Sequence, residues 1–263
     1  MRILRRIWHY LRGKQLDFVG RFNYFGTTLY FPRHSVGFLA TWEQGVFESD
    51  NVRILQALAK PESWIFDVGA NIGLISAPVL AAQPQIHVLA FEPSPNNIPY
   101  LSRSISESPY RERWSLVPKV AGPIVGLANL AISAPENSMF DGQRSTGRVA
   151  SVGDVEVAMT TIDAEWERLG RPAVSAIKCD VEGAEMLVLS GAGNCIREAR
   201  PAILLEWNAQ NLALFGIELD SLLEFSEAAD YHVVSVPRLA RVTTKAELQI
   251  HMTFTEYFLL FPR

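Results

Sequence analysis

The stretch at residues 64–76 constrains the fold of this chain more than any other, because an apolar run breaks there into a glycine-bearing turn. Residues 64–68 are apolar and β-prone apart from Asp67, whereas Gly69 and Gly73 allow a tight turn and a close approach of the backbone to a ligand. The residues after the turn predict a helix whose first amides point at the same place. In an open parallel sheet that place is the ligand crevice at the carboxyl ends of the strands.

A second apolar run follows and ends in an acidic residue. Residues 86–91 predict another short strand, and Glu92 and Pro93 come directly after it. A carboxylate about 20 residues beyond a glycine turn can accept hydrogen bonds from both hydroxyls of a ribose. The two strands together predict a doubly wound α/β fold that binds a nucleoside.

The composition of the turn narrows the kind of nucleoside. Dinucleotides are held by G-x-G-x-x-G, but Asn71 stands at the position of the middle glycine, and a bulkier polar turn fits a ligand without phosphates. Asp67 favours a ligand with an ammonium group, since two anions would repel each other. S-adenosylmethionine has a ribose and an ammonium group but no phosphate, so we predict it as the cofactor. Its predicted contacts are Asp67, Gly69, Asn71 and Gly73 at the amino-acid end, and Glu92 beside Pro93 at the ribose.

Four motifs along the chain are more specific when they are taken together. They are F-D-V-G-A-N-I-G at residues 66–73, F-E-P at 91–93, I-K-C-D-V-E-G-A-E at 177–185 and R-P-A-I-L-L-E at 200–206. This set resembles the FkbM family of S-adenosylmethionine-dependent methyltransferases. The resemblance implies a class I methyltransferase fold, Rossmann-like, with a mostly parallel seven-stranded sheet that ends in an antiparallel pair. It also adds Glu48 as a cofactor contact, because residues 45–48 resemble the family's short acidic motif upstream of the first core strand.

Length and composition predict one well-cored domain, since 48% of the 263 residues are hydrophobic. Residues 1–60 are expected to form a helix and a β-hairpin that pack on a methyltransferase domain at residues 61–263. Residues 122–157 are rich in glycine, serine and asparagine, which predicts a β-hairpin insertion with a mobile tip at residues 138–142. A formal net charge of −4 argues against a nucleic acid as partner.

Residues 1–14 hold five basic side chains among apolar ones, in an amphipathic pattern. Such a segment can lie on an anionic membrane surface, but docking on its own domain or on a partner subunit is the commoner outcome. We therefore expect no membrane contact and consider a homodimer. No apolar run approaches the length of a membrane span, and no signal-peptide core is recognisable, so a cytoplasmic location is predicted.

Methyl transfer to a hydroxyl is an in-line displacement, so an enzyme must align donor and acceptor and remove a proton. Asp180 and Glu182 follow the predicted strand at residues 173–179, beside the position where this fold places the sulfonium. Asp180 is our first choice for the base and is a further predicted cofactor contact. Glu206 ends the neighbouring strand and puts another carboxylate on the same rim, so Asp180, Glu182 and Glu206 are the predicted catalytic residues.

Other roles remain open for these acidic residues. Glu182 and Glu185 could cap the next helix, where negative charge is favourable. Glu206 and Asn208 could join Asp180 in a divalent cation site made of oxygen ligands. The simpler interpretation is that they hydrogen-bond a polyol, and no metal is predicted.

The expected function is methylation of a hydroxyl on a sugar, a glycan or a secondary metabolite. One alternative is an NAD-dependent oxidoreductase or epimerase, which Asn71 in the turn disfavours. The other is a non-catalytic binding protein with a methyltransferase fold. The presence of Asp67, Glu92 and Asp180 argues against that second alternative.

Overall fold

The computed structural model describes residues 2–144 and 149–263. Its strands are β1 (Arg21–Tyr24), β2 (Thr27–Tyr30), β3 (Trp64–Val68), β4 (His87–Phe91), β5 (Trp114–Val117), β6 (Val120–Ala121), β7 (Gly126–Ser133), β8 (Ser151–Thr160), β9 (Val174–Cys179), β10 (Ala202–Glu206), β11 (Tyr231–Ser235), β12 (Ala240–Val242) and β13 (Tyr257–Pro262). Its α-helices are α1 (Arg2–Val19), α2 (Val36–Gln44), α3 (Ser49–Leu58), α4 (Ser76–Ala82), α5 (Ile98–Ser106), α6 (Ile162–Arg168), α7 (Glu185–Ser190), α8 (Gly193–Ala199), α9 (Ala209–Leu214), α10 (Ser221–Ala228) and α11 (Lys245–Met252). Short 3-10 helices span Arg111–Arg113 and Pro135–Phe140.

Eight of these strands form the central sheet, in the order β12-β11-β13-β10-β9-β3-β4-β5. The five strands from β10 to β5 are parallel to one another, whereas β13 is antiparallel to both β10 and β11. The doubly wound order and the antiparallel closing pair confirm the predicted class I methyltransferase fold.

The sheet has eight strands rather than the predicted seven. The additional strand is β12, which pairs with β11 through Val242 opposite Val233 and lies at the edge of the sheet. Because β12 has only three residues, it is too short to show the alternation from which strands are predicted.

Successive side chains of each central strand point to opposite faces of the sheet, and each face contributes to a separate apolar core. Phe66 and Leu89 face the core that α6, α7 and α8 cover, whereas Ile65 and Val88 face the core that α3, α4 and α5 cover. The register places Val68 of β3 opposite Phe91 of β4 and opposite Cys179 of β9. The residues that follow these three strands therefore meet at one edge of the sheet.

The N-terminal hairpin packs against α5 and the turn after it. The amide of Tyr30 donates to Oγ of Ser104 at 2.9 Å, and the hydroxyl of Tyr110 donates to the carbonyl of Phe25 at 2.7 Å. The hairpin begins at Arg21, directly after α1, which continues through Val19. Neither α1 nor any other helix in the described ranges is long and apolar enough to cross a bilayer.

The predicted β-hairpin insertion is confirmed as β7 and β8, which pair along their length and continue through β6 as a three-stranded sheet. Residues 145–148 of the predicted insertion lie outside the described residues. The tip at residues 138–142 differs from the mobile loop that was predicted. Ser138 is buried and its Oγ donates to Oδ1 of Asn97 at 2.6 Å. The polar residues that suggested mobility are therefore engaged in hydrogen bonds with the core.

Candidate active site

A cavity of about 270 Å³ lies at the carboxyl ends of β3, β4, β9 and β10. The sequence predicted ten site residues, and eight of them line this cavity: Glu48, Gly69, Asn71, Glu92, Pro93, Asp180, Glu182 and Glu206. The other two, Asp67 and Gly73, are not part of the lining. The fold therefore gathers residues from separate motifs around a single cavity.

The turn after β3 requires glycine at two positions because of close packing. A Cβ on Gly69 would lie 1.9 Å from the carbonyl oxygen of Asp180, and a Cβ on Gly73 would lie 2.7 Å from the Trp114 ring. Both glycines have positive φ angles, +79° and +91°, which residues with side chains rarely adopt. Gly69 thus brings the turn into direct contact with the end of β9, whereas Gly73 seats the turn on the core.

Glu92 is held at the end of β4 by the turn opposite it. Its Oε2 accepts a hydrogen bond from the amide of Asn71 at 2.7 Å, and its Oε1 accepts one from the amide of Ser94 at 2.9 Å. Burial raises the pKa of Glu92 to about 7, against the opposing effect of these hydrogen bonds. The carboxyl group is fixed in one orientation on the cavity wall.

Asp67 lies behind the turn and contacts a buried lysine. Its Oδ2 accepts from Oγ of Ser76 at 2.6 Å, and its Oδ1, which has no hydrogen-bond partner among the described residues, lies 3.7 Å from Nζ of Lys178. Nζ of Lys178 donates to the carbonyl of Gly69 at 3.1 Å and lies 3.4 Å from Oδ2 of Asp180. This lysine is a cation inside the wall that carries the turn.

The charge of Lys178 is set by the acidic residues around it. Burial alone would lower its pKa, but Asp180, Asp67 and Glu48 together raise the pKa above its ordinary value. The lysine was not among the predicted site residues. The sequence did contain a signal for its role, because Lys178 is a charged residue inside the buried run of β9. A lysine that is buried in this way needs carboxylates nearby.

Tyr257, at the start of β13, joins two carboxyl groups of the cavity. Its hydroxyl lies 2.7 Å from Oε1 of Glu48 and 3.0 Å from Oδ2 of Asp180. Burial, followed by the charge of Asp180, raises the pKa of both Glu48 and Tyr257. Because the phenol stays protonated and has one hydrogen, it can donate to only one of the two carboxyl groups at a time.

The far wall of the cavity is acidic and rests on Asn211 of α9. Nδ2 of Asn211 donates to Oε2 of Glu182 at 2.8 Å and to Oε2 of Glu206 at 3.4 Å. Burial, followed by the charges of Asp180 and Glu182, raises the pKa of Glu206 to about 10. Glu206 is therefore a neutral carboxylic acid at neutral pH, which can donate a hydrogen bond as well as accept one.

Two neighbouring residues have structural contacts instead. Oε1 of Glu185 accepts from the amides of Val181 and Gly183, at 3.0 and 3.2 Å, so this carboxyl group holds the turn after β9. Oδ1 of Asn208 accepts from amides at the start of α9, and its Nδ2 donates to Glu256. Among the described residues, no three histidine, cysteine, aspartate or glutamate side chains are grouped as metal ligands.

The insertion closes the cavity beside Glu92. The sequence did not predict this contact between the insertion and the cavity. Oγ of Ser94 donates to Oδ2 of Asp141 at 2.6 Å, and Nδ2 of Asn97 contacts Oε1 of Glu92 at 3.3 Å and the carbonyl of Ser138 at 3.2 Å. Ser138, Met139 and Asp141 all line the cavity. The signal for this arrangement was weak, because small polar residues are equally typical of a free loop.

Comparison with known proteins gives a family match over most of the sheet. The family described as the methyltransferase FkbM domain matches residues 67–233. The hexuronic acid methyltransferase AglP of Haloferax volcanii is 25% identical to this chain over 161 residues, which are 60% of this chain and 61% of that relative. The chain therefore matches somewhat less than two thirds of the relative's length.

A solved structure supports the fold. The methyltransferase FkbM of Methylobacillus flagellatus superposes with a TM-score of 0.50 and 18% sequence identity. The superposition covers 84% of this chain and 49% of that one. At this identity the likeness concerns the arrangement of the sheet and helices alone.

Proposed function

The chain belongs to the FkbM methyltransferase family, since the family match covers more than half of it, and on that basis we propose that it methylates a sugar or glycan hydroxyl with S-adenosylmethionine. One observation carries the proposal: Glu92 and Asp180 line the same cavity, on either side of the turn that contains Gly69. A carboxylate that binds the ribose can hold the donor. A proton acceptor can take the proton of the hydroxyl that is methylated.

The residues at the turn fit a cationic nucleoside. Glu92 presents a fixed carboxyl group where ribose hydroxyls can be bound, and the polar turn at Asn71 has no run of glycines for a pyrophosphate. Beyond the turn, Lys178 is outnumbered by Asp67, Asp180 and Glu48. The excess of negative charge suits the sulfonium and ammonium groups of the cofactor. When bound, S-adenosylmethionine supplies an electrophilic methyl group.

We assign the proton acceptor to Asp180. Its side chain is 19% exposed, whereas that of Asp67 is 1% exposed, and its Oδ2 is oriented by both Tyr257 and Lys178. Tyr257 and Lys178 thereby act as positioning residues. An oriented carboxylate can receive the proton of an acceptor hydroxyl as the new carbon–oxygen bond forms.

The opposite wall defines the acceptor that we propose. Glu182, Glu206 and Glu256 line the cavity there, and Glu206 is neutral, so this wall offers both acceptors and a donor of hydrogen bonds. A polyhydroxy ring can satisfy such groups, because each of its hydroxyls can both donate and accept a hydrogen bond. The sugar-acid methyltransferase among the relatives supports a sugar as the acceptor.

Titration calorimetry with S-adenosylhomocysteine tests the cofactor assignment. We expect micromolar binding to the wild-type protein, loss of at least about tenfold in affinity for Glu92→Ala, and no binding of NAD. The surface variant Glu112→Ala is the matched control, because its side chain is 85% exposed. NAD binding, or an unchanged affinity in Glu92→Ala, would contradict the proposal.

Transfer of a radiolabelled methyl group tests the reaction and its acceptor. Neutral sugars, uronic acids and catechols are offered in parallel with the S-adenosylmethionine donor. We expect label on a sugar hydroxyl, and none when Asp180→Asn replaces the wild-type protein. A protein that binds the donor but labels none of these acceptors would match the non-catalytic alternative.

A further inference from the structure

Helix α1 turns its apolar side away from the rest of the protein. The five largest apolar side chains on that side are between 50% and 72% exposed: Leu4, Ile7, Trp8, Leu11 and Phe18. Their spacing places them on one face of an α-helix. In a helix that packs on its own domain, this is the face that would be buried.

The opposite side of α1 is the one that contacts the protein. Gly13 rests on the Trp42 ring, since an added Cβ would lie 2.6 Å from its Nε1, and the His9 ring stacks on Trp42 with 4.6 Å between centroids. Asp17 is buried, and its Oδ2 lies 2.8 Å from Nδ1 of His34. Small and polar residues, together with the partly buried Leu16, thus hold the helix against the protein, which leaves its larger apolar face exposed.

Charge is distributed unevenly between α1 and the rest of the chain. The helix holds five of the 24 basic side chains but only one of the 28 acidic ones, and that one is the buried Asp17. Arg5, Arg12 and Lys14 therefore flank the apolar face without acidic partners on the same helix. Two copies of α1 brought together through this face would repel each other, whereas an anionic lipid surface is complementary to it.

We propose that α1 binds the surface of an anionic membrane. Its exposed apolar side chains enter the boundary between headgroups and acyl chains, and its basic side chains remain among the headgroups. Trp8 and Tyr10, which are 65% and 62% exposed, suit this boundary because each ring combines an apolar body with a polar group. The expectation of no membrane contact is replaced here, because the structure leaves exposed the face that docking would have covered.

Flotation with lipid vesicles tests this proposal on the full chain. Vesicles of phosphatidylcholine with about one third phosphatidylserine are compared with pure phosphatidylcholine, at low and high salt. We expect the protein to float with the anionic vesicles and to be released from them by salt. The double variant Trp8→Ser/Leu11→Ser should lose at least about tenfold in bound protein.

A matched control removes apolar side chains that are just as exposed but lie elsewhere. Ile250 and Phe254 are 60% and 76% exposed, so Ile250→Ser/Phe254→Ser should float like the wild type. Equal loss in this control, or no flotation of the wild type, would overturn the proposal. Light scattering without lipid gives the other decisive outcome: a dimer that Trp8→Ser/Leu11→Ser dissociates would identify a second copy as the occupant.

Discussion

The hydroxyl of Tyr257 lies 3.0 Å from Oδ2 of Asp180, although 77 positions separate the two residues in the chain. The same hydroxyl lies 2.7 Å from Glu48, which is 209 positions away. A residue of the last strand thus orients the side chain that we assign as the base. It does so from outside the segment that matches the family.

Replacing Tyr257 by phenylalanine should slow turnover without removing the cofactor. The ring remains in place, but Asp180 and Glu48 lose their shared hydrogen-bond donor, so kcat should fall about tenfold. The affinity for S-adenosylhomocysteine should stay within about threefold of the wild type. Steady-state kinetics and calorimetry on the same preparation separate the two effects, and a loss confined to cofactor affinity would contradict a positioning role.

Replacing Asp180 by asparagine should remove the base while the fold is kept. We expect kcat to fall by at least about a hundredfold, as is typical when a general base is lost. The thermal unfolding midpoint and S-adenosylhomocysteine binding report on the fold and the donor site. Glu112→Gln, which removes one charge from the surface, is the control. If Asp180→Asn turned over near the wild-type rate, Asp180 would be excluded as the base.

The neutral state of Glu206 predicts how stability depends on pH. Its pKa is about 10 in the folded protein and ordinary in the unfolded one, so the folded state holds the extra proton between these values. The Glu206 contribution to stability is therefore full below pH 4.5 and is lost as the pH rises towards 10. Glu206→Gln, which mimics the neutral acid, should weaken this loss, so its melting temperature relative to the wild type should rise from pH 5 to pH 9. Parallel melting curves would refute the assignment.

Replacing Gly69 by alanine should damage folding and cofactor binding together. The added methyl would collide with the Asp180 carbonyl at 1.9 Å, and φ of +79° is unfavourable for alanine. A loss of more than about 2 kcal/mol in unfolding free energy is expected from chemical denaturation. Gly193→Ala is the matched control, since a Cβ there meets no atom within 4 Å and its φ is not positive. Equal stability of both variants would count against the close contact.

Removing the carboxylate of Asp141 should loosen the insertion from the donor end of the cavity. Asp141 accepts hydrogen bonds from Oγ of Ser94 and from Oγ and the amide of Ser133, at 2.6 to 2.7 Å. In Asp141→Ala, S-adenosylhomocysteine should dissociate about tenfold faster. Stopped-flow displacement measures this rate, and an unchanged rate would show that the insertion does not hold the ligand.

The sequence predicted the elements whose signals are local. The bounds of β3 match the predicted run at residues 64–68, and β10 ends at Glu206 as predicted, because both are apolar segments that end in a turn or an acidic residue. The eight predicted residues that line the cavity follow strand ends or short motifs, which the order of the sheet brings together. These predictions needed no knowledge of distant contacts.

The parts that were missed depend on contacts between distant segments. Tyr257 acquires its role only because β13 inserts beside β10 and brings its hydroxyl to Glu48 and Asp180. The neutral state of Glu206 depends on burial and on other carboxyl groups that the fold collects around it. Pairing across such distances leaves no periodic pattern in the chain, so sequence reasoning could name Glu206 but not its protonation.

The acidic surroundings of Lys178 have a consequence for the end of the catalytic cycle. One buried ammonium faces the carboxyl groups of Asp67, Asp180 and Glu48, so this part of the cavity favours a ligand with positive charge. S-adenosylhomocysteine lacks the sulfonium charge of the donor. Under the proposed function, we therefore expect the cavity to hold the spent cofactor less strongly than the fresh one, so that the electrostatic field that attracts the donor also promotes release of the product and exchange for the next donor.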